Sequence, residues 1–170
     1  MKLLAVAALS IIGISSVYAE SYSSMGNWHI RESSSPFDDS KVVSMELYSL
    51  DRISGGRNGK PRLHLRCQEG ETSAYITFAG NFMSDIQGYG EVRYRLDSDS
   101  AVTKSMHAST DNRALGLWSG DSAIPFIEDM FGHERMVVSA TPFNSSPQIF
   151  NFNIVRTEEA VANLRDACNW

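Results

Sequence analysis

The run Arg62-Leu63-His64-Leu65-Arg66-Cys67-Gln68-Glu69-Gly70-Glu71-Thr72-Ser73-Ala74-Tyr75-Ile76-Thr77-Phe78-Ala79 decides the fold. Leu63, Leu65 and Cys67 alternate with Arg62, His64 and Arg66, and a two-residue period is the mark of a half-buried strand. Gln68 to Gly70 then turns the chain, and Ala74, Ile76 and Phe78 alternate in the same way. A turn this short joins the two strands as an antiparallel hairpin.

The same period recurs on both sides. In Val42–Leu50, Val43, Met45 and Leu47 alternate with Ser44, Glu46 and Tyr48. In Glu91–Asp97, Val92, Tyr94 and Leu96 alternate with Arg93, Arg95 and Asp97. Ala114–Trp118, Arg135–Ala140 and Gln148–Ile154 are further strands. Between them lie turn-forming clusters, Ser33-Ser34-Ser35-Pro36 and Ser54-Gly55-Gly56-Arg57-Asn58-Gly59, the second closed by Pro61. Two segments break the pattern. Ile124–Phe131 reads as a short helix, with Ser122 as N-cap and Gly132 as stop. A C-terminal helix is capped by Thr157 and carries Glu158 and Glu159 at its positive end, with Val161, Leu164 and Cys168 on one stripe. The expected fold is therefore mainly β, a single antiparallel sandwich or partly open barrel of six to eight strands with two peripheral helices.

A chain of 170 residues is one domain's length. With 15 Lys+Arg against 20 Asp+Glu, its net charge of −5 argues against a general nucleic-acid binder. Two cysteines are too few for a disulfide-dense scaffold or a Cys-only zinc site.

Residues 1–19 read as a secretory signal peptide. Lys2 precedes an apolar run from Leu3 to Val17, and the small residues Val17 and Ala19 frame a cut after Ala19. The run is shorter than the roughly 20 residues that span a bilayer. Residues 20–27 are then a flexible lead-in and 28–170 one β-rich domain. No later stretch suggests membrane insertion. Cleavage removes one base and no acid, so the exported chain is more acidic than the precursor. An even cysteine count in an exported chain reads as one disulfide, Cys67 to Cys168, with free thiols or metal ligands as the rival readings. The strand face of Cys67 and the helix stripe of Cys168 both point to the core, in accord with that pairing.

The residues that carry chemistry are sparse. There is no G-x-S-x-G elbow to set beside the four histidines. Asp97-Ser98-Asp99-Ser100 begins like a calcium loop but lacks the required Gly and the later Glu. His64 and Cys67, three apart in a strand, face opposite ways. Gly55-Gly56-Arg57-Asn58-Gly59-Lys60 has some of the composition of a phosphate loop but not its order, and a strand follows it, so it reads as a surface turn. No catalytic residue, metal or cofactor is expected. The arginines stand out: Arg62 and Arg66 share one strand face, Arg93 and Arg95 another. On neighbouring strands they would form a guanidinium cluster able to hold an anion. The plainer reading pairs them with Glu46, Glu71, Glu91 or Asp97 across strands.

The ordered set of motifs resembles a known family. It comprises Ser35-Pro36-Phe37-Asp38-Asp39-Ser40, Arg62 to Cys67, Val92-Arg93-Tyr94-Arg95-Leu96-Asp97, Ser109-Thr110-Asp111-Asn112, Phe150-Asn151-Phe152 and Leu164-Arg165-Asp166-Ala167-Cys168-Asn169-Trp170. Together these resemble the VasI/TagO-type exported proteins associated with bacterial type VI secretion systems, over about Trp28 to Trp170. The resemblance implies a periplasmic, non-enzymatic accessory protein whose two cysteines pair and whose partners are secretion-machine or other envelope proteins. It also implies that Arg66, Arg93, Arg95, Asp97 and Trp170 are structural or contact residues. Two other functions stand beside this one: a stand-alone exported envelope or host-facing protein, and an envelope hydrolase working through paired carboxylates on peptidoglycan.

Overall fold

The structure is a computed structural model that describes residues 20–57 and 59–170, so the expected signal peptide lies outside the described residues. The alternating segments become strands of two antiparallel sheets. The first five strands run as a meander: β1 (Ser21–Met25), β2 (Trp28–Ser34), β3 (Lys41–Tyr48), β4 (Arg62–Gln68) and β5 (Glu71–Thr77). The chain crosses to a second sheet for β6 (Glu91–Leu96) and β7 (Val102–Ser105). It returns for β8 (His107–Ala108) and β9 (Ala114–Leu117), which complete a seven-stranded sheet of order β1-β2-β3-β4-β5-β9-β8. After helix α1 (Gly120–Asp129), β10 (Arg135–Ala140) and β11 (Gln148–Asn153) complete a four-stranded sheet of order β11-β10-β6-β7. Two helices, α2 (Thr157–Ala160) and α3 (Ala162–Cys168), end the chain.

The core is what the alternation dictates. Val43, Met45, Leu63, Leu65, Cys67, Ala74 and Ile76 of the large sheet are buried with Val92, Tyr94, Met136, Val138, Phe150 and Phe152 of the small one. Phe78 and Phe150 meet edge to face at 5.9 Å between ring centroids, and α1 adds Phe126 against Tyr94 at 5.3 Å. Edge-to-face contacts of this kind add to the burial of the rings themselves. The sheets do not close into a barrel.

Four details differ from the sequence reading. Ser21–Met25 is not a loose lead-in but an edge strand paired along its length with β2, from Ser21 opposite Glu32 to Met25 opposite Trp28. It is held by backbone pairing, since its side chains are largely exposed. α1 begins at Gly120, with Ser119 as N-cap, and Ser122 donates its hydroxyl back to the Ser119 carbonyl at 2.9 Å. The C-terminal helix is broken at Val161 into α2 and α3. Thr157 does not cap it: Arg156 holds that position at φ 65°, while the buried Thr157 hydroxyl accepts the Trp28 indole N–H at 3.1 Å. That bond fixes the fully buried Trp28, and the hydroxyl in turn donates to the Ile154 carbonyl at 2.6 Å.

α3 is bound to β4 by the Cys67–Cys168 disulfide, with Cα atoms 5.8 Å apart and 101 positions between them. This is the pairing expected from the sequence.

Candidate functional site

The outer face of the seven-stranded sheet is where unusual side chains gather. Register sets His29, Glu46, His64, Tyr75, Gly116 and His107 opposite one another in one row across β2, β3, β4, β5, β9 and β8. In the next row stand Tyr48, Arg62 and Thr77; on the other side stand Ser44, Arg66 and Ser73. Residues directly opposite in an antiparallel pair share a face and touch. Here they stack. The His64 and Tyr75 rings lie nearly parallel, 4.7 Å between centroids, and the Trp118 ring continues the stack 5.2 Å from Tyr75. The Arg62 guanidinium lies over the Tyr48 ring at 4.6 Å, and Arg66 stands 5.8 Å from the Tyr75 centroid. Cation–π contacts at these distances are attractive.

Gly116 makes the stack fit. A Cβ there would sit 2.6 Å from the Tyr75 Cβ and 2.8 Å from the Trp118 ring. The indole lies over the bare glycine and donates to the His107 carbonyl at 3.0 Å.

The electrostatics follow from partial burial. Burial pushes His64 down to about 4, with Arg62 and Arg66 acting the same way and Glu46 opposing them. Its ring is neutral at pH 7, with Nε2 3.1 Å from the Thr77 hydroxyl. Burial also raises the Tyr75 phenol, against the pull of Arg66. The Thr77–His64 pair has a nucleophile-to-base distance, yet the Glu46 carboxylate is engaged by Arg62 at 3.4 Å and makes no hydrogen bond to the imidazole. A histidine depressed this far is a weak base at neutral pH. Ring faces and guanidinium groups are what this face presents. Arg66 Nε and Ser73 Oγ, on cross-strand neighbours, are buried with no hydrogen-bond partner among the described residues. Such atoms are uncommon in folded domains.

The two arginine pairs singled out in the sequence do not form one cluster, because β4 and β6 lie in different sheets. Arg62 makes the expected cross-strand pair with Glu46. Arg66 belongs to the stacked face. Arg93 and Arg95 are exposed on the small sheet, opposite Ser139 and Val137 of β10, and among the described residues neither has a carboxylate within 4 Å. Asp97 ties a turn together: its carboxylate accepts the backbone N–H of Arg135 at 2.8 Å and of Glu134 at 3.2 Å, and lies 3.0 Å from His133 Nδ1. Those bonds, the Arg135 one foremost, hold its carboxyl below the usual range. Trp170 donates its indole N–H to Thr72 at 2.9 Å and stacks under Arg165, 5.2 Å from its ring centroid. Among the described residues, no three His, Cys, Asp or Glu side chains converge as a metal site. No described helix is long and apolar enough to cross a membrane. Sequence reasoning passed over Tyr75, Trp118, His29 and Tyr48. The signal for Tyr48 and Tyr75 was their place among the outward positions of strands already read.

Fold and site together define a class, a disulfide-closed antiparallel β-sandwich whose larger sheet presents a stacked aromatic and cationic face. The chain belongs to the family described as "Type VI secretion system VasI, EvfG", whose model matches residues 20–170. Among solved structures it is similar to invasion associated protein b from Bartonella henselae, at 10% identity and a TM-score of 0.52. That alignment covers 88% of this chain and 99% of that one. A likeness at that identity shows a shared fold. Comparison with curated proteins gave no significant match.

Proposed function

We propose that this chain is an exported, periplasmic accessory protein of a type VI secretion system, acting by contact with other envelope proteins rather than by catalysis. The observation that carries this reading is the family match over the whole described domain. The Cys67–Cys168 disulfide supports the compartment, because structural disulfides persist where the surroundings are oxidising. The stacked face supports the mode of action: aromatic rings and arginines are the residue types enriched where proteins bind proteins. Deleting the gene from a strain with an active secretion system should reduce contact-dependent killing of a competitor, and the intact gene should restore it. Unchanged killing would leave the stand-alone exported protein as the better reading.

A further inference from the structure

At one end of the large sheet, beside the stacked face, lies a groove of about 440 Å³ whose lining includes four cationic side chains, Arg57, Lys60, Arg62 and Arg113. Four positive charges around one groove are unexpected in a chain with a net charge of −5. Among the described residues, Arg57, Lys60 and Arg113 have no carboxylate within 4 Å. Arg62 has Glu46 at 3.4 Å. Asp111, two residues before Arg113, already accepts from the Ser109 hydroxyl at 2.6 Å and the Arg113 backbone N–H at 3.2 Å.

The cations are held, not scattered. The loop that carries Arg57 and Lys60 is pressed against the turn Ala79-Gly80-Asn81. A Cβ on Gly56 would come within 2.6 Å of the Asn81 nitrogen and 2.7 Å of the Ala79 oxygen. Arg57 N–H donates to the Ala79 carbonyl at 2.8 Å, and the Asn81 amide donates to the Ser54 carbonyl at 3.1 Å. Gly80 brings the two arginines together: the Arg57 stem lies against the space its missing Cβ leaves, and the Arg113 guanidinium donates to its carbonyl at 2.6 Å. The glycines that gave this segment the composition of a phosphate loop thus serve to dock it, and docking sets its cations around the groove.

We propose that this groove binds a ligand presenting two or more phosphate groups to Arg57, Lys60, Arg62 and Arg113. Several separate cations call for a multivalent anion. A tetrahedral phosphate offers oxygens to several guanidinium forks at once, where a single planar carboxylate satisfies one. The phosphate source, a soluble oligophosphate or a lipid headgroup, is separable by experiment.

Calorimetric titration of the purified protein with inorganic pyrophosphate at low ionic strength tests the site. Saturable binding is expected, weakening as salt is added. Arg57→Ala and Lys60→Ala should each weaken it by about tenfold or more, since each removes a charge-assisted contact. Arg93→Ala, on the other sheet, should not. Both groove side chains are exposed, so unchanged circular dichroism and melting serve as the folding control. Sedimentation with vesicles containing cardiolipin, whose headgroup carries two phosphates, but not with phosphatidylcholine vesicles, and its loss in the groove variants would assign the phosphates to a lipid headgroup. Pyrophosphate binding without sedimentation would assign them to a soluble ligand. Failure to bind either probe, or binding that survives the double variant Arg57→Ala/Lys60→Ala, would overturn the proposal.

Discussion

His64 shows how one residue can lie in a legible strand and still hide its role. Its outward position on β4 follows from the alternation of Leu63, Leu65 and Cys67. What the sequence does not carry is the burial that Tyr75 and its neighbours impose, because β4–β5 register and ring stacking arise only in the folded sheet. That burial has a consequence in solution. The folded His64 holds its pKa near 4, below the ordinary 6.5, so the unfolded chain takes up the proton first as pH falls. Stability from this group is therefore complete above about pH 6.5 and is lost progressively down to about pH 4. Urea unfolding should show a loss of about 2 kcal/mol between pH 7 and pH 5 that His64→Gln removes. Equal pH dependence in both proteins would mean that the ring is solvated. Asp97 is a contrasting residue. Its motif was legible, but its bonds to the backbone of Glu134 and Arg135 come from a hairpin distant in the chain.

At the scale of elements, strands with strict alternation were legible and those without it were not. β4, β5, β6 and β10 each bury every second residue of an apolar series over most of their length. β1 has no apolar series at all, being Ser-Tyr-Ser-Ser-Met, and its strand state comes from pairing with β2. Its available signal was the pair Gly26-Asn27 between Met25 and Trp28, a two-residue hairpin connection with Gly26 at φ 60°. Which sheet each strand joins was not legible either, since that depends on contacts far apart in sequence; the conditional cluster of the β4 and β6 arginines failed on that point, while the plainer reading of cross-strand pairing holds for Arg62 and Glu46. β9 illustrates how an element serves the face. Gly116→Ala should push the Trp118 indole off Tyr75, changing tryptophan fluorescence and lowering the melting temperature. An unaltered emission spectrum would show that the indole does not depend on the bare glycine.

For the whole molecule, the disulfide and the two-layer core do different work. The core forms from the sheets' own alternation, while Cys67–Cys168 closes 101 positions and anchors the chain's last helix to a central strand. In the chain-entropy view such a loop contributes up to about 4.7 kcal/mol. Reduction, or the double variant Cys67→Ala/Cys168→Ala, should lower the unfolding free energy by a few kcal/mol while leaving far-UV circular dichroism unchanged under native conditions. Two thiols labelled in the denatured, unreduced protein would contradict the pairing. This feature was legible because both cysteines sit on core-facing positions of periodic elements, a coincidence that free surface thiols would not produce.

We propose that the outer face of the large sheet is where this family member meets its partner, and complementation measures this in the cell. A deletion strain with an active type VI secretion system is supplied with the wild-type gene, with Arg66→Glu/Tyr75→Ala, or with Arg93→Glu/Arg95→Glu on the opposite sheet, each exported to equal levels. Killing of a competitor should return with the wild-type gene and with the small-sheet variant, and fail to return with the variant of the stacked face. Full restoration by Arg66→Glu/Tyr75→Ala would show that the partner does not dock on the stacked face.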